Sequence, residues 1–66
     1  MIVQLRDKKT NVLICAQQIS DDSGHLARQA LAERMADDSG RERGECLGVD
    51  LTTEMLLLRR YPLAGQ

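Results

Sequence analysis

The sequence predicts a single α+β domain in which an N-terminal β-hairpin packs against one amphipathic helix. Two runs rich in β-branched residues, 2–5 and 12–19, flank a polar turn. A segment of helix-forming residues follows the capping residues at 20–23. With 66 residues, the chain forms at most one domain, which we assign to 1–66.

The hairpin is predicted from its turn and from the strands on either side. Residues 6–11 are polar and contain Asp and Asn, which favour tight turns. The second strand carries apolar side chains on both faces at its start. We therefore expect the hairpin to be covered fully on one side and partly on the other.

The first helix is predicted to begin after residues 20–23, whose side chains offer N-cap oxygens. Gly40 is expected to end it, because glycine adopts the left-handed conformation easily. Apolar residues recur at spacings typical of one helix face and are expected to pack on the hairpin. These residues are Leu26, Ala27, Ala30, Leu31 and Met35.

The C-terminal third is predicted to be a glycine-rich loop followed by a second helix. Residues 39–48 contain three glycines and four charged residues, which favours a flexible loop. Beyond it, Asp50 is a suitable cap, and Pro62 would stop a helix. The alternative is a strand at 55–61, giving a ββαβ order, because a short apolar block fits either element. Residues 63–66 are expected to form a frayed tail.

Composition and charge narrow the class of protein. The chain has nine basic and ten acidic residues, a net charge of −1 and one aromatic residue, so its core must be aliphatic. This composition excludes collagen, a transmembrane protein and a disulfide-dense scaffold. The N-terminus lacks the basic lead and cleavage site of a secretory signal, so we expect a cytoplasmic protein with free thiols at Cys15 and Cys46.

No catalytic or metal site is predicted, and no cofactor. Cys15, His25 and Cys46 lack the closely spaced pairs of structural zinc sites. The tetrapeptide Asp-Asp-Ser-Gly occurs at 21–24 and at 37–40, where capping is a better explanation than a cation cage. So short a chain can hardly enclose the pocket that a serine nucleophile needs. We therefore predict a non-enzymatic protein.

A protein-binding surface is the leading functional hypothesis. Residues 55–58 are four large apolar residues in a row, and neither a helix nor a strand can readily turn all of them inward. A small sheet also leaves edge strands that a partner strand or a second copy can pair with. The sequence thus predicts a small interaction module that binds another protein and forms a homodimer. The predicted partner-binding residues are Met55, Leu57, Leu58 and Tyr61.

The alternative hypothesis is a DNA- or RNA-binding regulator. Residues 26–35 resemble the first helix of a helix-turn-helix motif, which implies a recognition helix after it. The chain departs from that pattern, because two acids occupy the turn and a glycine lies inside the next segment. The nucleic-acid-binding residues in this alternative are Arg28, Arg34, Arg41 and Arg43. A wider basic surface would form only if the fold gathers Arg6, Lys8, Lys9, Arg59 and Arg60 near them.

Overall fold

The computed structural model describes residues 1–64 and shows a four-stranded antiparallel sheet covered on one face by a helix. The order of strands across the sheet is β2-β1-β3-β4, with β2 and β4 at the edges. No helix in the described part of the chain is long and apolar enough to span a membrane. The elements are β1 Ile2–Asp7, β2 Leu13–Gln18, α1 His25–Asp38, a 3-10 turn Arg43–Glu45, β3 Cys46–Leu51 and β4 Leu57–Pro62.

The predicted N-terminal hairpin is confirmed, and Asp7 organises its turn. The backbone N–H of Asp7 donates to the carbonyl oxygen of Val12 at 2.9 Å. Its carboxylate Oδ1 accepts the backbone N–H groups of Lys9 at 2.8 Å and Thr10 at 3.0 Å. These bonds, with Thr10 the largest contributor and Lys9 the next, hold the pKa of Asp7 below its ordinary value of 3.8.

The predicted helix is confirmed, but its buried face differs from the expected stripe. Its N-cap is Gly24, which supplies no side-chain oxygen, and Gly40 just beyond its end has φ +70° as expected. Leu26 is 80% exposed and belongs to the solvent face, because α1 packs mainly through its C-terminal half. The expected stripe is thus wrong for Leu26, and also for Ala27 and Ala30, which are exposed.

The predicted C-terminal helix is wrong, because this part of the chain forms β3 and β4. The edge of β1 that faces away from β2 needs a partner, and β3 pairs with it, setting Asp50 opposite Val3. Asp50 is therefore a strand residue and not a helix cap. The alternative of a C-terminal strand is confirmed, although the full order is ββαββ because β3 precedes it.

The expected loop at 39–48 and the expected tail at 63–66 both contain ordered segments. Residues 46–48 belong to β3, and the 3-10 turn precedes them. Leu63 is buried in the core, and the backbone N–H of Ala64 donates to Glu33 Oε2 at 3.1 Å. The rest of the expected tail, residues 65 and 66, lies outside the described part of the chain.

The core lies between α1 and one face of the sheet. Val3 and Leu5 of β1 are fully buried there, and small helix residues allow close approach of α1. Ile14, Cys15, Ile19 and Leu31 pack around the edge of this cluster while partly exposed. The buried members are Val3, Leu5, Ala32, Met35, Ala36, Cys46, Tyr61 and Leu63.

Candidate functional site

The face of the sheet that points away from α1 carries the candidate site. Side chains alternate along a strand, so Gln4 of β1 points to this open face while its neighbours Val3 and Leu5 point to the helix. Strand register aligns Gln4 with Val49 of β3 and Val49 with Arg60 of β4. Gln4 and Val49 are at most 5% exposed although α1 lies on the other side. Longer side chains around them therefore cover this face.

These side chains line a shallow, solvent-open cleft of about 290 Å³, which we call the open-face cleft. The β1–β2 loop bounds it at one end of the sheet, and the β3–β4 loop bounds it at the other. Its floor combines aliphatic and amide groups, and guanidinium groups stand at its side. The lining residues are Gln4, Arg6, Asn11, Val49, Leu51, Met55, Leu57 and Arg60.

The two loops place residues with left-handed backbone at the two ends of the cleft. Among residues 1–64, only Asn11 (φ 62°) and Met55 (φ 65°) have positive φ without being glycine. Asparagine tolerates this conformation, whereas for methionine it is uncommon and costs about 1 kcal/mol. Strained backbone of this kind concentrates at functional sites, which is consistent with a binding role for the cleft.

Two arginines from distant parts of the sequence meet beside Asn11. Arg6 donates from Nη1 to the Asn11 carbonyl oxygen at 2.8 Å and from Nε to Gln4 Oε1 at 3.0 Å. Arg60 donates from Nη2 to Asn11 Oδ1 at 3.2 Å. Neither guanidinium has a carboxylate within 4.0 Å in residues 1–64. The cleft therefore carries positive charge without an internal counter-ion.

The predicted apolar segment, residues 55–58, is exposed along its whole length, with 53% to 60% of each residue accessible. Met55 and Leu57 line the open-face cleft. Leu58 lies at a bulge, because Asp50 pairs with Arg59 and Leu51 pairs with Leu57. Three of the four predicted partner-binding residues are therefore accessible and adjacent.

The fourth, Tyr61, lies on the helix side of the sheet and is only 5% exposed. Its hydroxyl donates to Asp50 Oδ1 at 2.9 Å, and Asp50 Oδ2 accepts from Arg28 Nε at 2.8 Å. Burial first, and then the hydrogen bond to Asp50, raise the pKa of Tyr61 far above its ordinary value. Tyr61 is thus a core residue and is not available to a partner on the open face.

The four arginines of the nucleic-acid alternative are not brought together as free cations. Three of them pair with carboxylates of the same chain at 2.7 to 3.4 Å. Arg34 is exposed and has no such pair in residues 1–64. The shortest pairs are Arg28–Asp50, Arg41–Asp7 and Arg43–Asp37, and Arg43 Nη1 also lies 3.7 Å from Glu33 Oε1.

The described residues contain no group of three His, Cys, Asp or Glu side chains placed to hold a metal ion. Cys15 and Cys46 are free thiols. His25 stacks edge-on against Tyr61 with ring centroids 5.2 Å apart, at the start of α1. These residues therefore belong to the helix side of the molecule and not to the open-face cleft.

From the sequence alone, Arg6 and Arg60 are expected only as parts of a broad basic surface, and Gln4 and Asn11 have no predicted role in binding. A signal was present in β1, where polar residues at positions 4 and 6 alternate with apolar residues at 3 and 5. That alternation indicates a polar second face. The order of the strands in the sheet brings Arg60 near this polar face of β1. That order cannot be read from the alternation of residues along the sequence.

Comparison of the chain with protein-family models, with curated proteins and with solved structures finds no match. Its function is therefore inferred from its own geometry.

Proposed function

We propose that the protein is a non-enzymatic binding module of the cytoplasm that takes up a segment of another protein on the open face of its sheet, along β4. The observation that carries this proposal is the exposed apolar segment 55–58, which adjoins the open-face cleft. Contiguous exposed apolar surface is typical of interaction sites. Met55, Leu57 and Leu58 are the proposed contact residues.

Strand addition is the binding mode that fits β4. It lies at the edge of the sheet, so the backbone groups that point away from β3 pair with no strand formed by residues 1–64. An extended segment can satisfy these groups by hydrogen bonding, and its side chains then reach the cleft. Pro62 ends this edge, because proline has no N–H to donate.

A second copy of the chain is a poor occupant for β4. A twofold antiparallel pairing centred on Arg59 or on Arg60 would set that cation opposite its own copy, which is destabilising. The homodimer predicted from the sequence fits β2 better, since residues 13–18 include neither a charged residue nor a proline. We therefore propose a different protein as the partner at β4.

The nucleic-acid alternative has less support. Single strands bind sheet surfaces by stacking bases on exposed aromatic side chains. The single aromatic residue of this chain, Tyr61, is buried on the helix side. Arg28, Arg41 and Arg43 are also engaged by carboxylates, which would compete with phosphates.

The test compares Leu57→Asp with Leu26→Asp. Both replace an exposed leucine by the same charged residue, but Leu26 lies on the solvent face of α1, away from the cleft. Proteins captured from the source cells by the parent chain are identified, purified and titrated against each variant by calorimetry. Replacement of a residue at the centre of an interface costs about 2 kcal/mol of binding free energy, which raises Kd roughly thirtyfold.

We expect Leu57→Asp to weaken binding by that factor and Leu26→Asp to leave it within twofold. Met55→Asp, in the exposed loop, serves as a second cleft variant should Leu57→Asp lose the native circular dichroism spectrum. A partner that binds the cleft variants and the parent equally well contradicts the proposal. So does the absence of any captured protein whose binding depends on these residues.

A further inference from the structure

We propose that the open-face cleft is an acceptor site for a carboxylate, so that the bound segment carries an acidic residue two positions from an apolar residue. This inference rests on the proposed function, because it specifies the chemistry of the partner at the same site. It follows from the arrangement of Arg6 and Arg60 beside Asn11.

The two guanidinium groups are held in place and keep unused donors. Arg6 is fixed by bonds from Nη1 to the Asn11 carbonyl oxygen and from Nε to Gln4, and Arg60 by one bond to Asn11 Oδ1. A guanidinium has five N–H donors, so each arginine retains at least three for a ligand. Planar donor pairs of this kind match the two oxygens of a carboxylate.

The charge around this pair is unbalanced. None of the eight residues that line the cleft is acidic, and neither arginine has an ion pair in the part of the chain that the structure describes. By contrast, Arg28, Arg41 and Arg43 each have a carboxylate partner. Two like charges tethered to one residue repel each other, and a bound anion relieves that repulsion.

The surroundings of the arginines select a carboxylate that is carried on an apolar segment. Val49 and Leu51 form a buried aliphatic floor, and Leu57 and Met55 extend it to the exposed segment. In an extended chain, residues i and i+2 face the same way. The matching segment therefore has an acidic residue with an aliphatic residue two positions away, on the side of Leu57.

The probe is a phage-displayed library of random 12-residue peptides, selected on the folded protein. Peptides are kept if they bind the parent and Leu26→Asp but not Leu57→Asp, so that all of them occupy the cleft. We expect most of these peptides to contain Asp or Glu two positions from an aliphatic residue. Selection on Arg60→Glu should instead enrich Lys or Arg at that position.

The peptide that binds most tightly is then synthesised in two forms. One keeps its Asp or Glu, and the other carries Asn or Gln, the matching amide, at that position. Hydrogen bonds to charged groups predict about a tenfold loss of affinity for the amide peptide on the parent. Arg60→Gln should cause a similar loss for the acidic peptide and no further loss for the amide peptide. Arg34→Gln is the matched control, because Arg34 is exposed on α1, and it should change neither affinity by more than twofold.

The outcomes separate the two proposals. If no peptide depends on Leu57, the proposed binding function fails. If peptides depend on Leu57 but show no preference for an acid, or if Arg60→Gln has no effect on the acidic peptide, only the carboxylate site is refuted. Arg60 is exposed, so Arg60→Gln is expected to keep the circular dichroism spectrum of the parent, and Arg60→Lys provides a variant of unchanged charge.

Discussion

Replacement of Gly48 by alanine tests the closest packing between β3 and β4. Gly48 pairs with Tyr61, and the aromatic ring lies across the glycine. A Cβ at residue 48 would lie 2.5 Å from Tyr61 Cζ and 2.9 Å from its hydroxyl oxygen. Both distances are too short, so the ring must move, and its hydrogen bond to the fully buried Asp50 must lengthen or break.

The expected loss of stability combines two effects. Overpacking in a core costs about 1 to 3 kcal/mol, and a disrupted hydrogen bond to a buried charged group costs about 1 to 3 kcal/mol. We expect about 3 kcal/mol for Gly48→Ala. A domain of 66 residues has a total stability of about 3 to 10 kcal/mol, so this substitution removes a large part of it.

Urea unfolding followed by circular dichroism measures this loss. With a slope of about 1 kcal/mol per molar urea, the midpoint should fall by about 3 M. Gly44→Ala is the matched control, because a Cβ added at residue 44 would have no heavy atom within 4 Å, and it should be close to neutral. In a Tyr61→Leu background, Gly48→Ala should cost much less, because the ring is gone. An equal cost in both backgrounds would refute the steric argument.

Three further predictions concern the loops and the thiols. Met55→Asn should raise the free energy of unfolding by up to about 1 kcal/mol, because asparagine tolerates the left-handed backbone at this position. Urea titration measures this free energy, and an unchanged or lower value contradicts the prediction. Asp7 has a lowered pKa, so its contribution to stability is complete above about pH 4 and is lost as pH falls through the folded-state pKa. Asp7→Asn keeps an acceptor oxygen but removes the ionisable carboxyl group. The free energy of unfolding of this variant should therefore fall less steeply with decreasing pH than that of the parent. An equally steep fall argues against this role of Asp7. A thiol reagent should modify Cys15 quickly and Cys46 only on unfolding, because burial raises the pKa of the Cys46 thiol and blocks access of the reagent. Mass spectrometry measures the rate of modification at each cysteine, and equal rates would contradict this prediction.

Local signals in the sequence were sufficient for the first half of the fold. The turn at 6–11 and the helix formers after residue 24 depend on neighbouring residues only, and both elements are where the pattern predicts them. The second half depends on distant pairing. The apolar segment 55–58 suits a helix or a strand, and the free edge of β1 decides in favour of strands by pairing with β3.

The candidate site shows the same division between local and distant information. Exposure of Met55 and Leu57 follows from the excess of apolar residues in a short chain. The position of Tyr61 depends on the bulge at Leu58, since simple alternation would place Leu57 and Tyr61 on one face. The contact of Arg60 with the β1–β2 loop requires the order of strands, which no local pattern encodes.

The position of β1 between β2 and β3 has a consequence for folding kinetics. Each hairpin, β1 with β2 and β3 with β4, can form from contacts close in sequence, on a scale of about 1 to 10 μs. Joining them requires β1 to meet β3 across the whole length of α1 and its flanking loops. That closure carries most of the entropic barrier to folding. We therefore expect the folding rate to respond more to substitutions where β1 pairs with β3 than to substitutions within either hairpin.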